Sequence, residues 1–252
     1  MIPWKRFWVP LGGSISRGND GQGFLDDPES DFGRHLNATV RELDTLVERS
    51  PLVLCGEPGI GKTTALANLR TKLEAKHDAI LWIEFRAIPD VGTFVRRTID
   101  TPTWKEWQAS GTRLGLVIDG VDEGLIKIPD FVSFLQCELK PFDLRRLQLI
   151  LACRTAEWPT VAGQQLIALW ADENQNHVFE LCPLRLGDAR LAAQKFGADP
   201  DCFIEAVYRY AVIGLAARPI TLFFLLREFC KTGAFPGTHR ELYEAGLRET
   251  VR

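Results

Sequence analysis

The stretch Leu52-Val-Leu-Cys-Gly-Glu-Pro-Gly-Ile-Gly-Lys-Thr63 decides the fold of this chain. Its first four residues form an apolar run that is typical of a buried strand, and residues 56–63 match the pattern G-x-x-x-x-G-K-[ST] at every fixed position. A helical pattern follows at residues 62–76, with leucines that fall on one face. A strand, a glycine-rich turn and a helix in this order predict a loop that binds phosphate groups at the helix N-terminus.

Each fixed residue of this loop has a physical reason to bind a nucleotide. Gly56, Gly59 and Gly61 allow the backbone to curl so that its N–H groups point towards phosphate oxygens. Lys62 supplies a cation for the β- and γ-phosphates, and the Thr63 hydroxyl is a ligand for Mg²⁺. The other predicted contacts are three loop residues and a threonine near the α-phosphate: Glu57, Pro58, Ile60 and Thr64. We therefore predict that the chain binds a nucleoside triphosphate together with Mg²⁺.

A second apolar run, residues 114–119, ends in a cluster of carboxylates. Asp119 lies at its C-terminal tip, where we expect it to hold Mg²⁺, through water. Asp122 and Glu123 follow in the next turn, where one of them could orient or deprotonate the attacking water. The sequence leaves both open as the catalytic carboxylate, and we favour Glu123.

Five short apolar runs alternate with helical patterns, at residues 52–55, 79–85, 114–119, 147–153 and 178–182. Continuous apolar runs are typical of parallel strands that are covered on both faces. The alternation predicts an α/β fold with a doubly wound parallel sheet of five strands in the order 2-3-4-1-5. In this order the strand before Arg154 lies next to the phosphate-loop strand. Arg154 would then point across the same crevice as Asp119 and is a candidate sensor of the γ-phosphate.

The chain divides into three predicted segments. Residues 1–36 are rich in Gly, Asp and Ser and indicate an irregular lead-in, although its first aromatic residues are expected to dock on the core. Residues 37–184 form the core, which we expect to begin with a helix at 37–48. Residues 185–252 show only helical patterns, at about 187–195, 200–212, 219–230 and from 239 onward. This helical lid region runs into the terminus without a stop signal, so we expect it to be truncated.

The composition narrows the class of protein. With 252 residues, of which 46% are hydrophobic, the chain can form one α/β domain and a smaller appendage. The net charge of −3 predicts no direct nucleic-acid partner and no anionic membrane surface, and no apolar run approaches the roughly 20 residues of a membrane span. The start shows no signal peptide and the six cysteines form no C-x-x-C pair, so we expect a cytoplasmic protein with reduced thiols.

Three motifs together resemble the NACHT branch of the STAND NTPases: Gly-Glu-Pro-Gly-Ile-Gly-Lys-Thr-Thr at 56–64, Leu-Val-Ile-Asp-Gly-Val-Asp-Glu at 116–123 and Leu-Ala-Cys-Arg at 151–154. The stretch that begins Arg218-Pro219 and continues as an apolar helix is also similar to the helical region after NACHT cores. AAA+ proteins and helicases usually place a glutamate directly after the first aspartate of the acidic motif, where this chain has Gly120.

This resemblance implies a slow ATPase that acts as a molecular switch, of which the chain would be an N-terminal fragment. In that family ATP or ADP is enclosed beneath the helical lid, and a proline at the position of Pro219 packs near the base. A stimulus opens the protein, which then self-associates and activates an effector, commonly in defence or signalling. The preference for ATP rests on the resemblance alone, and the sequence contains no guanine-reading N-K-x-D motif.

Two other functions stay open. One is a motor or loader ATPase of the AAA+ type, which predicts steady turnover and a stable ring, and against which Gly120 argues. The other is an assembly module that binds nucleotide without hydrolysing it. A small phosphotransferase is a weaker alternative, because a helical region follows the sheet in place of an acceptor-binding insert.

Overall fold

The computed structural model describes residues 2, 4–18, 23–170 and 176–235. Within these ranges one sheet contains seven strands: β1 (Phe7–Pro10), β2 (Arg41–Glu42), β3 (Leu52–Cys55), β4 (Ala79–Glu84), β5 (Leu114–Asp119), β6 (Leu147–Cys153) and β7 (Val178–Leu181). Their order across the sheet is β2-β1-β7-β3-β6-β5-β4. The strands β3 to β7 run parallel, whereas β1 pairs antiparallel with both β2 and β7.

The prediction of five parallel strands in the order 2-3-4-1-5 is therefore incomplete and is corrected. That order describes only the parallel part, β4-β5-β6-β3-β7, while the full sheet is mixed and longer by two strands at the β7 edge. These two strands have four and two residues, which is too short for a clear period-2 pattern. Accordingly, residues 7–10 of the predicted irregular lead-in belong to the sheet.

Twelve α-helices lie in the same part of the chain: α1 (Asp31–Leu36), α2 (Leu43–Leu46), α3 (Lys62–Lys76), α4 (Val91–Arg97), α5 (Pro102–Ala109), α6 (Val121–Leu125), α7 (Phe131–Leu139), α8 (Thr160–Ile167), α9 (Leu186–Lys195), α10 (Pro200–Arg209), α11 (Ile213–Ala216) and α12 (Pro219–Thr232). Short 3₁₀ turns follow or precede strands at Phe85–Ala87, Leu144–Arg146, Thr155–Glu157 and Ala168–Trp170. The helix predicted at 37–48 is wrong, because residues 41–42 pair with β1 and only four residues after them are helical.

Helices cover both faces of the parallel strands. Neighbouring residues of one strand enter different hydrophobic clusters, as period-2 geometry requires: Leu54 packs with Leu66 of α3, and Cys55 packs with the cluster that contains α5 and α7. Every residue of β6 is buried, as expected for a central parallel strand. Because the faces are covered, the carboxyl ends of the strands are the expected place for a ligand.

Helices α9 to α12 form a separate hydrophobic cluster beside this sheet. The N-terminal segment contacts it as well, since Trp4 stacks on Phe223 of α12 with ring centroids 5.2 Å apart. The Trp4 indole N–H also donates to the carbonyl oxygen of Asp188 in α9, at 3.1 Å. Residues 4–10 thus touch both the sheet and the helical region.

In the described part of the chain no helix has the length and apolar character needed to cross a membrane. The cytoplasmic location stays a prediction, as do the segment boundaries at 36/37 and 184/185. The helix predicted from residue 239 onward lies outside the described residues.

Candidate functional site

The phosphate loop connects β3 to α3 at the carboxyl edge of the sheet. Gly59 and Gly61 adopt φ angles of +73° and +102°, in the left-handed region that residues with a side chain rarely adopt. Between them Ile60 is 4% exposed and packs in the core, so only its backbone faces a ligand. The remaining predicted contacts are accessible: Glu57, Pro58, Thr63 and Thr64 are exposed, and Gly56 is buried at the base of the loop.

The Lys62 side chain folds over the loop. Its ammonium group donates to the carbonyl oxygens of Gly56 and Glu57, the latter at 3.3 Å. Burial lowers the pKa of Lys62, and the negative charge of Asp122 opposes that shift. A triphosphate could replace the two neutral carbonyls with charged oxygens, which are stronger acceptors.

Thr63 and Asp119 meet as the predicted metal ligands. Both side chains line the same cavity, where burial raises the pKa of Asp119 while Thr63 and Lys62 lower it. No group of three or more His, Cys, Asp or Glu side chains in the described ranges could hold a metal ion alone. A hydroxyl and a carboxylate beside a phosphate loop nevertheless fit Mg²⁺, which binds few protein ligands and completes its shell with phosphates and water. Bound Mg²⁺ would neutralise charge on the β- and γ-oxygens.

The two candidate catalytic carboxylates have different environments. Asp122 is 8% exposed, and one of its oxygens accepts the backbone N–H of Arg154 at 3.0 Å. Its other oxygen lies 2.9 Å from the Nε of the same arginine. Glu123 is partly exposed, with its carboxyl group beside Gly120. Asp122 therefore positions Arg154, and Glu123 is the carboxylate that remains accessible.

Two cavities flank the loop. The phosphate-side cavity has a volume of about 290 Å³ and contains all the predicted catalytic and metal residues: Lys62, Thr63, Asp119, Asp122, Glu123 and Arg154. It also contains Glu84 and Arg86, which sequence reasoning missed. Glu84 is the last residue of β4, so its position at the carboxyl end of a strand was the available signal.

The helical-side cavity has a volume of about 460 Å³ and lies between the loop, the end of β7 and residues 211–218. Ala211 on its wall has φ +52°, a left-handed conformation that costs a residue with a Cβ free energy. Arg218 and Glu57 form an ion pair at the cavity edge. Sequence reasoning missed Arg218, which directly precedes α12.

The first turn of α12 lies directly against the loop. A Cβ added to Gly61 would come within 3.6 Å of the Pro219 ring, and one added to Gly59 would meet Ile220 at 2.5 Å. Pro219 thus packs on the loop backbone, and its predicted contact with a base stays a prediction.

Comparisons with known proteins identify the fold. No protein-family model matches the sequence, and no curated protein matches it. The Aeropyrum pernix ORC1 protein, solved in complex with DNA, is structurally similar with a TM-score of 0.50 and 16% identity, over 92% of this chain and 68% of that one. Domain III of the Thermotoga maritima replication initiation protein DnaA has a TM-score of 0.44 and 18% identity, over 93% and 97% of the two chains.

At 16% identity the similarity to the ORC1 protein shows the fold alone, which is a P-loop NTPase fold. The same comparison contradicts the prediction of no direct nucleic-acid partner, because the ORC1 protein, which has this fold, was solved in complex with DNA. The physical reason is that net charge averages over the whole chain, whereas phosphate contacts depend on local groups. A charge of −3 was therefore too weak a ground for excluding nucleic acid.

Proposed function

We propose that this chain is a Mg²⁺-dependent ATPase of the AAA+-like type, in which the nucleotide lies between the sheet and the helical region. One observation carries the proposal: a glycine-rich loop places Lys62 and Thr63 in one cavity with Asp119 at the carboxyl edge of a parallel sheet. The similarity to a solved structure of AAA+ fold supports it. The cavity on each side of the loop offers room for the phosphates and for the nucleoside.

Each residue has a role that follows from its position. Lys62 and the loop N–H groups bind the β- and γ-phosphates, and Thr63 with Asp119 would hold Mg²⁺. Glu123 accepts a proton from the attacking water or orients it, since it is the accessible carboxylate of the pair. Arg154, held by Asp122, faces the terminal phosphate.

Nucleotide binding tests this proposal directly. We expect Lys62→Ala to weaken the binding of Mg²⁺-ATP and ADP about 100-fold, because the loop loses its only side-chain cation. Isothermal titration calorimetry measures the change. The matched control is Lys76→Ala at the other end of α3, which removes a surface ion pair with Glu48 and should leave affinity unchanged. Undetectable binding by the unmodified chain, or equal binding by Lys62→Ala, would contradict the proposal.

One observation favours a second function, the nucleotide-dependent switch of the NACHT type. Gly120 has φ +78°, where a glutamate of the usual AAA+ pattern would be strained. A switch of this type predicts that the nucleotide is held tightly and that ATP turnover is far slower than in a motor ATPase. Single-turnover hydrolysis and ADP release rates separate the two functions: steady multiple turnover supports the motor, and retained ADP supports the switch.

A further inference from the structure

The N-terminal segment, residues 4–10, brings a cation to the phosphate loop from outside the motif. Trp8 pairs with Leu181 of β7, and the N–H of Cys182 donates to the carbonyl oxygen of Phe7 at 2.9 Å. Since β1 runs antiparallel to β7, the residue before β1 lies at the carboxyl edge of the sheet. That residue is Arg6.

The Arg6 guanidinium joins two backbone segments of the site. Its Nη1 donates to the carbonyl oxygen of Ile60 in the loop at 3.0 Å, and its Nη2 donates to that of Cys182 at 2.8 Å. A Cβ added to Gly61 would lie 3.3 Å from the same Nη1. The guanidinium therefore contacts the half of the loop that leads into α3.

The charge of Arg6 has no direct counter-ion. Burial lowers the pKa of Arg6 to about 10 and the charge of Asp188 partly offsets that shift, so the group stays charged at neutral pH. Both hydrogen-bond partners are neutral carbonyls, and no carboxylate in the described ranges lies within salt-bridge distance of it. A partly buried cation whose direct partners are neutral carbonyls is costly, and that cost falls when an anion binds nearby.

We propose that Arg6 is a positioning residue of the nucleotide site, which fixes the loop backbone at Ile60 and supplies a positive charge that the bound phosphates neutralise. This inference rests on the proposed function, because it requires a phosphate-bearing ligand on the loop. Arg6 acts through the loop backbone and through its field, without touching the nucleotide.

A purely structural role of Arg6 and an electrostatic role of its charge make different predictions. If Arg6 only holds the loop backbone, its substitution should weaken the binding of every nucleotide equally. If its charge compensates the phosphates, the loss of affinity should grow with the number of phosphates. Arg6→Gln keeps hydrogen-bond donors but removes the charge, and Arg6→Lys keeps the charge but cannot bind both carbonyls in the same way.

The experiment measures dissociation constants for AMP, ADP and ATP with Mg²⁺ by calorimetry, together with the melting temperature of the nucleotide-free chain. We expect Arg6→Gln to weaken ATP binding about 10- to 100-fold and AMP binding much less, with Arg6→Lys restoring part of the ATP affinity. The matched control is Arg146→Gln. Arg146 also donates to backbone carbonyls, those of Trp107 and Thr112, but it directly precedes β6 and lies at the amino edge of the sheet, away from the phosphate loop. This control should lower the melting temperature without changing affinity.

Each outcome decides the matter. Equal ATP affinity in Arg6→Gln and the unmodified chain would overturn the inference while leaving the proposed function intact. Equal losses of affinity for AMP, ADP and ATP, or no recovery in Arg6→Lys, would show that Arg6 only holds the loop backbone and would also overturn the inference. If the unmodified chain binds no nucleotide, the proposed function fails and this inference fails with it. Should Arg6→Gln not fold, Arg6→Met takes its place as the variant without the charge. A loss of affinity that grows with the number of phosphates then supports the inference, and equal losses or no loss contradict it.

Discussion

The two sides of the phosphate loop differ in chemistry. The phosphate-side cavity is surrounded by charged side chains from the ends of β4, β5 and β6, including Asp119 and Glu123. The helical-side cavity is larger and is lined mainly by small and apolar residues from positions 9–15, 181–183 and 211–217. Its charged groups include the ion pair of Glu57 and Arg218.

This difference suggests separate roles: hydrolysis on the phosphate side, and transmission of the nucleotide state on the helical side. Strand ends are rigid and hold charged groups in fixed geometry, which hydrolysis requires. The helical side contacts the loop through the first turn of α12, so a movement of the loop is transmitted to that helix. Substitutions on the phosphate side should therefore change turnover, whereas those on the helical side should change affinity and stability.

The largest expected effect is at Glu123. Glu123→Gln should lower the single-turnover rate of ATP hydrolysis about 100-fold or more, because the amide cannot accept a proton, while ATP affinity changes little. Asp122→Asn should instead lower stability by about 1–3 kcal/mol, since buried Asp122 accepts the backbone N–H of Arg154 and forms an ion pair with its guanidinium group. Rapid-quench kinetics and thermal melting measure these effects. Normal hydrolysis in Glu123→Gln, with loss of hydrolysis in a stable Asp122→Asn protein, would reverse the two roles.

Trp4 tests the attachment of the helical side. Trp4→Ala should lower the unfolding free energy by about 2 kcal/mol, because it removes the stacking on Phe223 and a hydrogen bond to Asp188. Chemical denaturation measures this loss. Trp82→Ala is the matched control, because Trp82 is also partly buried but lies on β4 at the far edge of the sheet. Only Trp4→Ala should also weaken nucleotide binding; equal affinities in both variants would argue against coupling through residues 4–10.

Gly59 tests the contact between loop and helix. Gly59→Ala should weaken ATP binding about tenfold, because the loop has φ +73° there and the new Cβ would meet Ile220 at 2.5 Å. Adding Ile220→Ala should recover the part due to the clash. Gly197→Ala is the control for backbone strain alone, since Gly197 has φ +80° with nothing within 4 Å. If the double variant recovers no ATP affinity, the contact between α12 and the loop does not cause the loss in Gly59→Ala.

The smallest effect is expected at Ala211. Ala211→Gly should raise the unfolding free energy by about 0.5 kcal/mol, because relief of the left-handed strain at φ +52° exceeds the added flexibility of glycine. Ala198→Gly, at a position without positive φ, should destabilise the protein and serves as the control. Thermal melting checks both, and destabilisation by Ala211→Gly would show that the observed backbone conformation is not strained.

Local patterns were enough to predict the parts of the fold that depend on neighbouring residues. The helix at residues 62–76 and the strands at 52–55, 114–119 and 147–153 have the predicted bounds, because apolar runs and glycine-rich turns act over a few residues. The same reasoning brought the phosphate loop and the carboxylate cluster to one edge of the sheet. Local patterns could not predict the pairing between segments that are far apart in the sequence.

The missed features share that cause. β1 and β2 are fixed by partners far along the chain, so their sequences carry no local signal of the sheet. Arg6 reaches the loop only because β1 pairs with β7, and Arg218 because α12 packs on the loop. The role of Arg154 is likewise non-local, since its ion pair with Asp122 exists only when β5 and β6 are adjacent.

The pairing of Trp8 with Leu181 also has a consequence for the order of folding. Contacts between residues so far apart in sequence close a long loop at a cost in conformational entropy, so we expect them to form late in folding. On a ribosome, the N-terminal segment must wait until β7 has been synthesised before it can join the sheet. The phosphate loop can therefore form as soon as its own strand and helix are folded, but the cation at Arg6 reaches it only when β7 is complete.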